Sequence, residues 1–416
     1  MPTARVSLGA GAVNGIVYAI GGLVVPHPEA VSTVEAYDTK ADTWSARAPL
    51  LIHRFGMAVG VVGGGIYIAG GATGANTSRE VESYDPVTNA WTTRAPMATA
   101  HFLPAYGVID GVFYVVGGDA TGQVVEAYDP KTGTWVAKPP VPTPRYQGAA
   151  GGVLGGRLYV VGGLGASSEL EAYDPKINTW TSEAPIPTPR VGAAAAAIDG
   201  LLYVVGGRSP SGAVLNTVES YDPKRNSWST ANPMPVARAA LAVCAADDTL
   251  FGLGGQDSAG SFLNLNEAFS PFLFVGIDIK PGDATNTINL RSAGTVAVAI
   301  LGSATFDPMT VDPATVTLAG APVATRAQGT AMTAQGDLNH DGYLDLLLHF
   351  RTQDLQLTLA STEAVLYGET FSGERLRGSD SVRIVPPGAG RSVGQASKEL
   401  RGRGAFTRVQ GPPVAR

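Results

Sequence analysis

Two sets of residues in this sequence have types and spacings that could do chemistry. The first is Asp337-Leu338-Asn339-His340-Asp341-Gly342-Tyr343-Leu344-Asp345, which carries side-chain oxygens at Asp337, Asn339, Asp341 and Asp345. Gly342 permits a sharp turn that would aim the Tyr343 carbonyl the same way. Alternating oxygen donors on a tight loop suit a hard cation that takes six to eight oxygens, so we expect a structural Ca2+ here. The plain alternative is an acidic turn without metal. The second set is a basic residue 16 positions before a Gly-Gly doublet, at Arg5, Arg54, His101, Arg190 and Arg238, with Arg145 at 17. A ring of such cations would bind a ligand carboxylate or an anionic sugar. The alternative pairs them with a recurring glutamate (Glu35, Glu82, Glu126, Glu171, Glu219 and Glu267), within or between copies. Repetition in every copy weighs toward this structural reading.

Other chemistry is not in evidence. No Ser/His/Asp set, phosphate loop or distinctively spaced carboxylate pair stands out, so no catalytic residue is nominated. The single cysteine, Cys244, excludes an internal disulfide framework and a cysteine zinc cluster. It lies in the apolar run 239–246 and reads as a small core residue. The net charge of −6 gives nucleic-acid binding no electrostatic support. No apolar stretch approaches the ~18 residues of a membrane span, so no membrane insertion is expected. No signal peptide is visible at Met1.

The elements that must position these residues recur with a period. Gly-Gly follows an apolar run at residues 21, 70, 117, 162, 206 and 254, with spacings of 49, 47, 45, 44 and 48. Such a period marks a repeat architecture. Each apolar run follows a two-residue turn (Asn14-Gly15, Gly63-Gly64, Asp110-Gly111, Gly155-Gly156, Asp199-Gly200, Asp247-Asp248) of the kind that joins antiparallel strands. After the doublet comes Val/Leu-Glu-x-Tyr-Asp in five copies, each followed by a tryptophan: Trp44, Trp91, Trp135, Trp180 or Trp228. The sixth copy reads Glu267-Ala268-Phe269 and has no tryptophan strand. Four short strands per copy make one propeller blade.

The order of turn, apolar strand, Gly-Gly, Tyr-Asp and Trp resembles the kelch repeat. That resemblance implies an all-β chain with a six-bladed kelch β-propeller over residues 1–271. The sixth copy would leave a sheet edge unpaired. Met1-Pro2-Thr3-Ala4-Arg5 matches Met234-Pro235-Val236-Ala237-Arg238, so Met1 aligns inside a repeat. We therefore expect the natural chain to begin upstream, with the missing strand and a secretion signal; the alternative gives that strand to residues 271–279. Loops after the doublets differ between copies and should carry specificity. The longest are 23–33, 208–217 and 256–266, which nominate copies one, five and six, although Phe262 is their main aromatic.

The period stops after Pro271. Strand-like runs at 274–279, 296–301, 315–318, 344–350, 355–359 and 381–385 suggest a smaller β-sandwich-like domain over 272–385. Its segments Ile277-Asp278-Ile279-Lys280-Pro281-Gly282, Val298-Ala299-Ile300-Leu301-Gly302, Thr310-Val311-Asp312-Pro313 and Gly378-Ser379-Asp380-Ser381-Val382-Arg383 resemble an uncharacterised domain appended to secreted bacterial and archaeal surface proteins. The resemblance implies an extracellular or cell-surface location and brings no activity. The Asp337 loop resembles calcium loops of the EF-hand and dockerin type. It departs from them at Leu348, where an EF-hand carries glutamate, and in running into a strand. Residues 386–416 are basic and read as a disordered tail.

The leading functional reading is a monomeric binding protein whose propeller face takes a protein or glycan partner. One alternative is a carbohydrate-active enzyme, either a galactose-oxidase-like oxidase or a sugar mutarotase. The oxidase needs histidine and tyrosine ligands and a tyrosine-linked cysteine, a set that His27, His53, His101, His340, His349 and Cys244 do not form. Another alternative is an architectural adhesin module.

Overall fold

In the computed structural model, residues 1–25 and 29–386 are described. The expected basic tail therefore lies, from residue 387 on, outside the described residues. The chain divides into two compact units, Met1–Ser270 and Pro271–Arg416.

The first unit is a run of sheets with one strand order. In the first sheet the strands Gly9–Val13, Ile16–Ile20, Val34–Asp38 and Thr43–Ala46 pair antiparallel with their sequence neighbours. Each later copy repeats this order through Ser227–Ala231. The two-residue turns form as their residues dictate. Asn14 and Gly15 both have positive φ, at 52° and 75°, as tight hairpins between twisted strands require. The copy-six sheet has three strands, Ala242–Ala246, Thr249–Leu253 and Asn266–Phe269. Residues 271–279 do not complete it. Leu273–Phe274 and Ile277–Ile279 pair instead with strands of the second unit.

The sheets join face to face through unequal side chains. A Cβ on Gly60 would lie 2.5 Å from the Phe113 ring of the next sheet, so glycine makes room for phenylalanine. Between the last and first sheets the sizes are exchanged. Cys244 takes the register position of Gly60, and the smaller Val17 takes that of Phe113, within one apolar cluster. Burial pushes the Cys244 thiol up to about 12, which fits a packing role.

A closed ring of backbone hydrogen bonds ties the sheets at the centre. Gly56 N–H donates to Ser7 O, Leu103 to Gly56, Gly148 to Leu103, Gly192 to Gly148, Ala240 to Gly192 and Ser7 to Ala240, at 2.8–2.9 Å. The ring thus closes within one chain, although the copy-six sheet has three strands among the described residues.

The second unit has a five-stranded sheet and a four-stranded sheet that share one core. Ile279, Val298, Leu348 and Phe350 of the smaller sheet pack with Leu318, Leu366 and Leu376 of the larger. Residues 355–359, expected as a strand, form none, although Leu355 is buried in the core. Glu363–Thr370, which no sequence signal had marked, lies inside the larger sheet. Its buried face carries Ala364 and Gly368 beside Leu366, too little apolar bulk to read as a strand. Among the described residues no helix is long and apolar enough to cross a membrane.

Candidate functional site

The repeated basic residues lie just before the first strand of each sheet. Sequence expectation offered them as a ligand-binding ring, but the structure places them inside the sheets. Arg5, Arg54, His101, Arg145 and Arg238 are 0% exposed and Arg190 is 1%. Each pairs with the glutamate of its own sheet: Arg5–Glu35 at 2.7 Å, Arg54–Glu82 at 2.6 Å, His101–Glu126 at 2.9 Å and Arg145–Glu171 at 2.8 Å, besides Arg190–Glu219 and Arg238–Glu267. Each also donates to the carbonyl of its own doublet's first glycine, as Arg5 Nη1 does to Gly21 O at 2.8 Å. Burial pulls the Arg54 guanidinium down and Glu82 pulls it back. Two charges removed from water persist because each satisfies the other and further Nη donors find carbonyls, while Nε is bonded in Arg54 and Arg190 and has no partner among the described residues in Arg5, Arg145 and Arg238.

The same residues form the joint between sheets. The second glycine of each doublet donates its N–H to the carbonyl of the next sheet's basic residue, from Gly22 to Arg54 around to Gly255 to Arg5, at 2.8–3.0 Å. This second closed ring explains the doublets. A Cβ on Gly162 would lie 2.5 Å from Arg190 O, and Gly162 has φ +63°. Both the close approach and the backbone exclude a side chain. Outside this joint, four tryptophans clamp neighbouring sheets. The indoles of Trp91, Trp135, Trp180 and Trp228 donate to Ala48, Ala95, Pro139 and Ala184 carbonyls at 2.8–3.0 Å. Each indole also stacks on its sheet's tyrosine, as Trp91 does on Tyr84 at 5.0 Å.

One residue past the basic position the copies diverge. The sequence there reads Val6, Phe55, Phe102, Tyr146, Val191 and Ala239. These residues sit between the buried joint and a central cavity lined by Ser7, Gly56, Leu103, Gly148, Gly192 and Ala240. Phe55 and Phe102 meet edge to face at 5.2 Å, and both are partly exposed. Tyr146 is 43% exposed, beside Leu164 at 55%, whose carbonyl accepts the Tyr146 N–H. Where copies five and six carry Val191 and Ala239, the neighbouring side chains are polar, with Arg208 Nη2 donating to Gln256 Oε1 at 3.4 Å. The rim is therefore aromatic over copies two to four and polar over five and six. Sequence reading nominated the long loops of copies one, five and six and missed these aromatics. Aligning the copies on the basic residue and reading the next column would have found them.

The Asp337 loop forms a compact turn. Asp337 accepts N–H from Asp341 and Gly342 at 3.1 Å each, Asn339 Oδ1 accepts from Asp341 at 3.1 Å, and Asp341 accepts from Tyr343 at 2.9 Å. Asp337, Asn339, Asp341 and Tyr343 thus stay together. Asp345 differs from expectation. It is fully buried, and its two carboxylate oxygens accept N–H from Gly302 at 2.9 Å and Leu338 at 2.8 Å, so it anchors the base of the loop. Among the described residues no three His, Cys, Asp or Glu side chains come together as a metal site.

Comparison with known proteins agrees with the repeat. The Kelch motif model matches residues 4–51 and 53–98, and the model described as KLHDC2/KLHL20/DRC7 Kelch-repeats domain matches residues 104–270. No curated protein matches. The solved structure titled "Structure of YjhT" aligns with a TM-score of 0.57 at 17% identity, over 65% of this chain and 96% of that one. At that identity the likeness shows the fold.

Proposed function

We propose, for a chain that is a kelch-repeat protein, that its first unit is a six-bladed propeller serving as a protein-binding module, with the aromatic rim as contact surface. Kelch repeats generally mediate protein–protein interaction. The observation that carries the reading is the contrast along the chain between Arg54 and Phe55, or Arg145 and Tyr146. The first residue of each pair is sealed in the scaffold, and the second is an aromatic reaching solvent. Aromatics beside a polar arc, here Arg208 and Gln256, are the kind of surface that anchors a partner protein. A glycan partner has less support, because the basic ring is buried and each member is paired with a glutamate. Selection of a random peptide library on the full chain, run beside a glycan array, tests this. Peptide hits that vanish in Phe55→Ala/Tyr146→Ala support it; glycan hits alone would overturn it.

For the second unit we propose the calcium site in reduced form, with Asp337, Asn339, Asp341 and the Tyr343 carbonyl as ligands. Its support is that these groups share one turn. Calcium would supply a structural charge that staples the loop. The resemblance of this unit to domains of secreted surface proteins supports an extracellular or cell-surface place. Closure of the propeller on its own chain supports a monomer.

A further inference from the structure

The joint is built from the same parts in every copy, with one substitution. Five copies use arginine, whose charge does not change in the accessible pH range. Copy three uses His101. Its Nδ1 lies 2.7 Å from Gly117 O and its Nε2 2.9 Å from a Glu126 oxygen. A carbonyl oxygen and a carboxylate only accept, so both ring nitrogens must donate, and only the imidazolium has two N–H groups. The charged groups facing the ring are Glu126, from the strand Val125–Asp129, and Asp119, from the loop after the doublet. Asp119 itself accepts N–H from Thr121 at 2.8 Å and Val124 at 3.1 Å. Burial pushes the Glu126 carboxyl up, but hydrogen bonds from His101, Ala98 N–H and Thr99 N–H outweigh it and hold the group below the usual carboxylate range. Glu126 is therefore ionised at neutral pH.

We propose that His101 makes copy three a pH-sensitive joint, locked while the imidazole carries both protons and loosened when one is lost as pH rises. Histidine is the side chain whose charge changes near neutral pH. Loss of either proton leaves Gly117 O or Glu126 without its donor, in a site where His101 is 0% exposed. A buried acceptor left unpaired destabilises the fold. The sign follows from the donors: with Glu126 ionised, the doubly protonated ring is the form that satisfies both acceptors, so the stabilisation is lost as pH rises and a ring proton leaves. The arginine copies have no such limb. The joint also carries backbone bonds, since Gly71 N–H donates to His101 O and Phe102 N–H to Gly118 O. Loosening should therefore reach the neighbouring strand ends. None of this depends on what the rim binds.

Thermal unfolding of the full chain at pH 6 and pH 9, in wild type and His101→Arg, tests the proposal. The wild-type midpoint should fall by roughly 2–8 °C more than the variant's between the two values. Equal falls in both proteins would overturn it. If the variant does not fold, hydrogen exchange on the wild type decides, corrected for the ordinary pH dependence of exchange. Protection lost preferentially at the Phe102 and Gly118 amides between pH 6 and 9 supports the joint. Unchanged or uniformly changed protection overturns it.

Discussion

Two adjacent columns of the repeat teach opposite lessons. The basic column is nearly invariant across six copies, and every member is buried, paired and bonded to backbone. The next column runs from alanine to tyrosine, and its aromatic members reach solvent. Repetition within one chain is thus a mark of the scaffold. A partner meets one side of the ring, whereas a joint must be made at every interface. Departures from repetition at exposed positions are where binding should be sought.

The contrast gives graded expectations. Arg190→Ala should cost about 3–5 kcal/mol in chemical denaturation, because it strands the buried Glu219 carboxylate. A loss under about 1 kcal/mol would show the ring to be dispensable. Gly162→Ala should cost about 1–3 kcal/mol, since alanine is strained at φ +63° and meets Arg190 O. Trp180→Phe keeps the ring stack and removes the N–H bonded to Pro139 O at 3.0 Å, so a loss of about 1 kcal/mol is expected. At the small end, Tyr146→Ser should change stability by about 0.5 kcal/mol or less, as exposed positions do. In the second unit, added Ca2+ should raise the melting midpoint and Asp341→Ala should abolish the rise. No rise in the wild type would remove the metal from the account.

Much of the first unit was legible from its sequence, because turns, apolar strands, doublets and Tyr–Trp pairs act locally and recur. The direction of the basic side chains was not. Arg5 and Glu35 are 30 residues apart, and only the folded sheet brings them together. The anchoring role of Asp345 was hidden for a similar reason. Its spacing fits a calcium loop, yet Gly302, 43 residues away, claims one of its oxygens. Glu363–Thr370 escaped because a buried glycine, packed on Val316, carries no hydrophobic signal.

The central claim is that the rim binds and the ring beneath it holds. Calorimetric titration of the strongest selected peptide against wild type and Phe55→Ala/Tyr146→Ala tests it most directly, with the unfolding midpoint of each recorded. We expect at least a tenfold weaker affinity, about 1.4 kcal/mol, with the midpoint within roughly 3 °C of wild type. Unchanged affinity in the double variant would contradict the account.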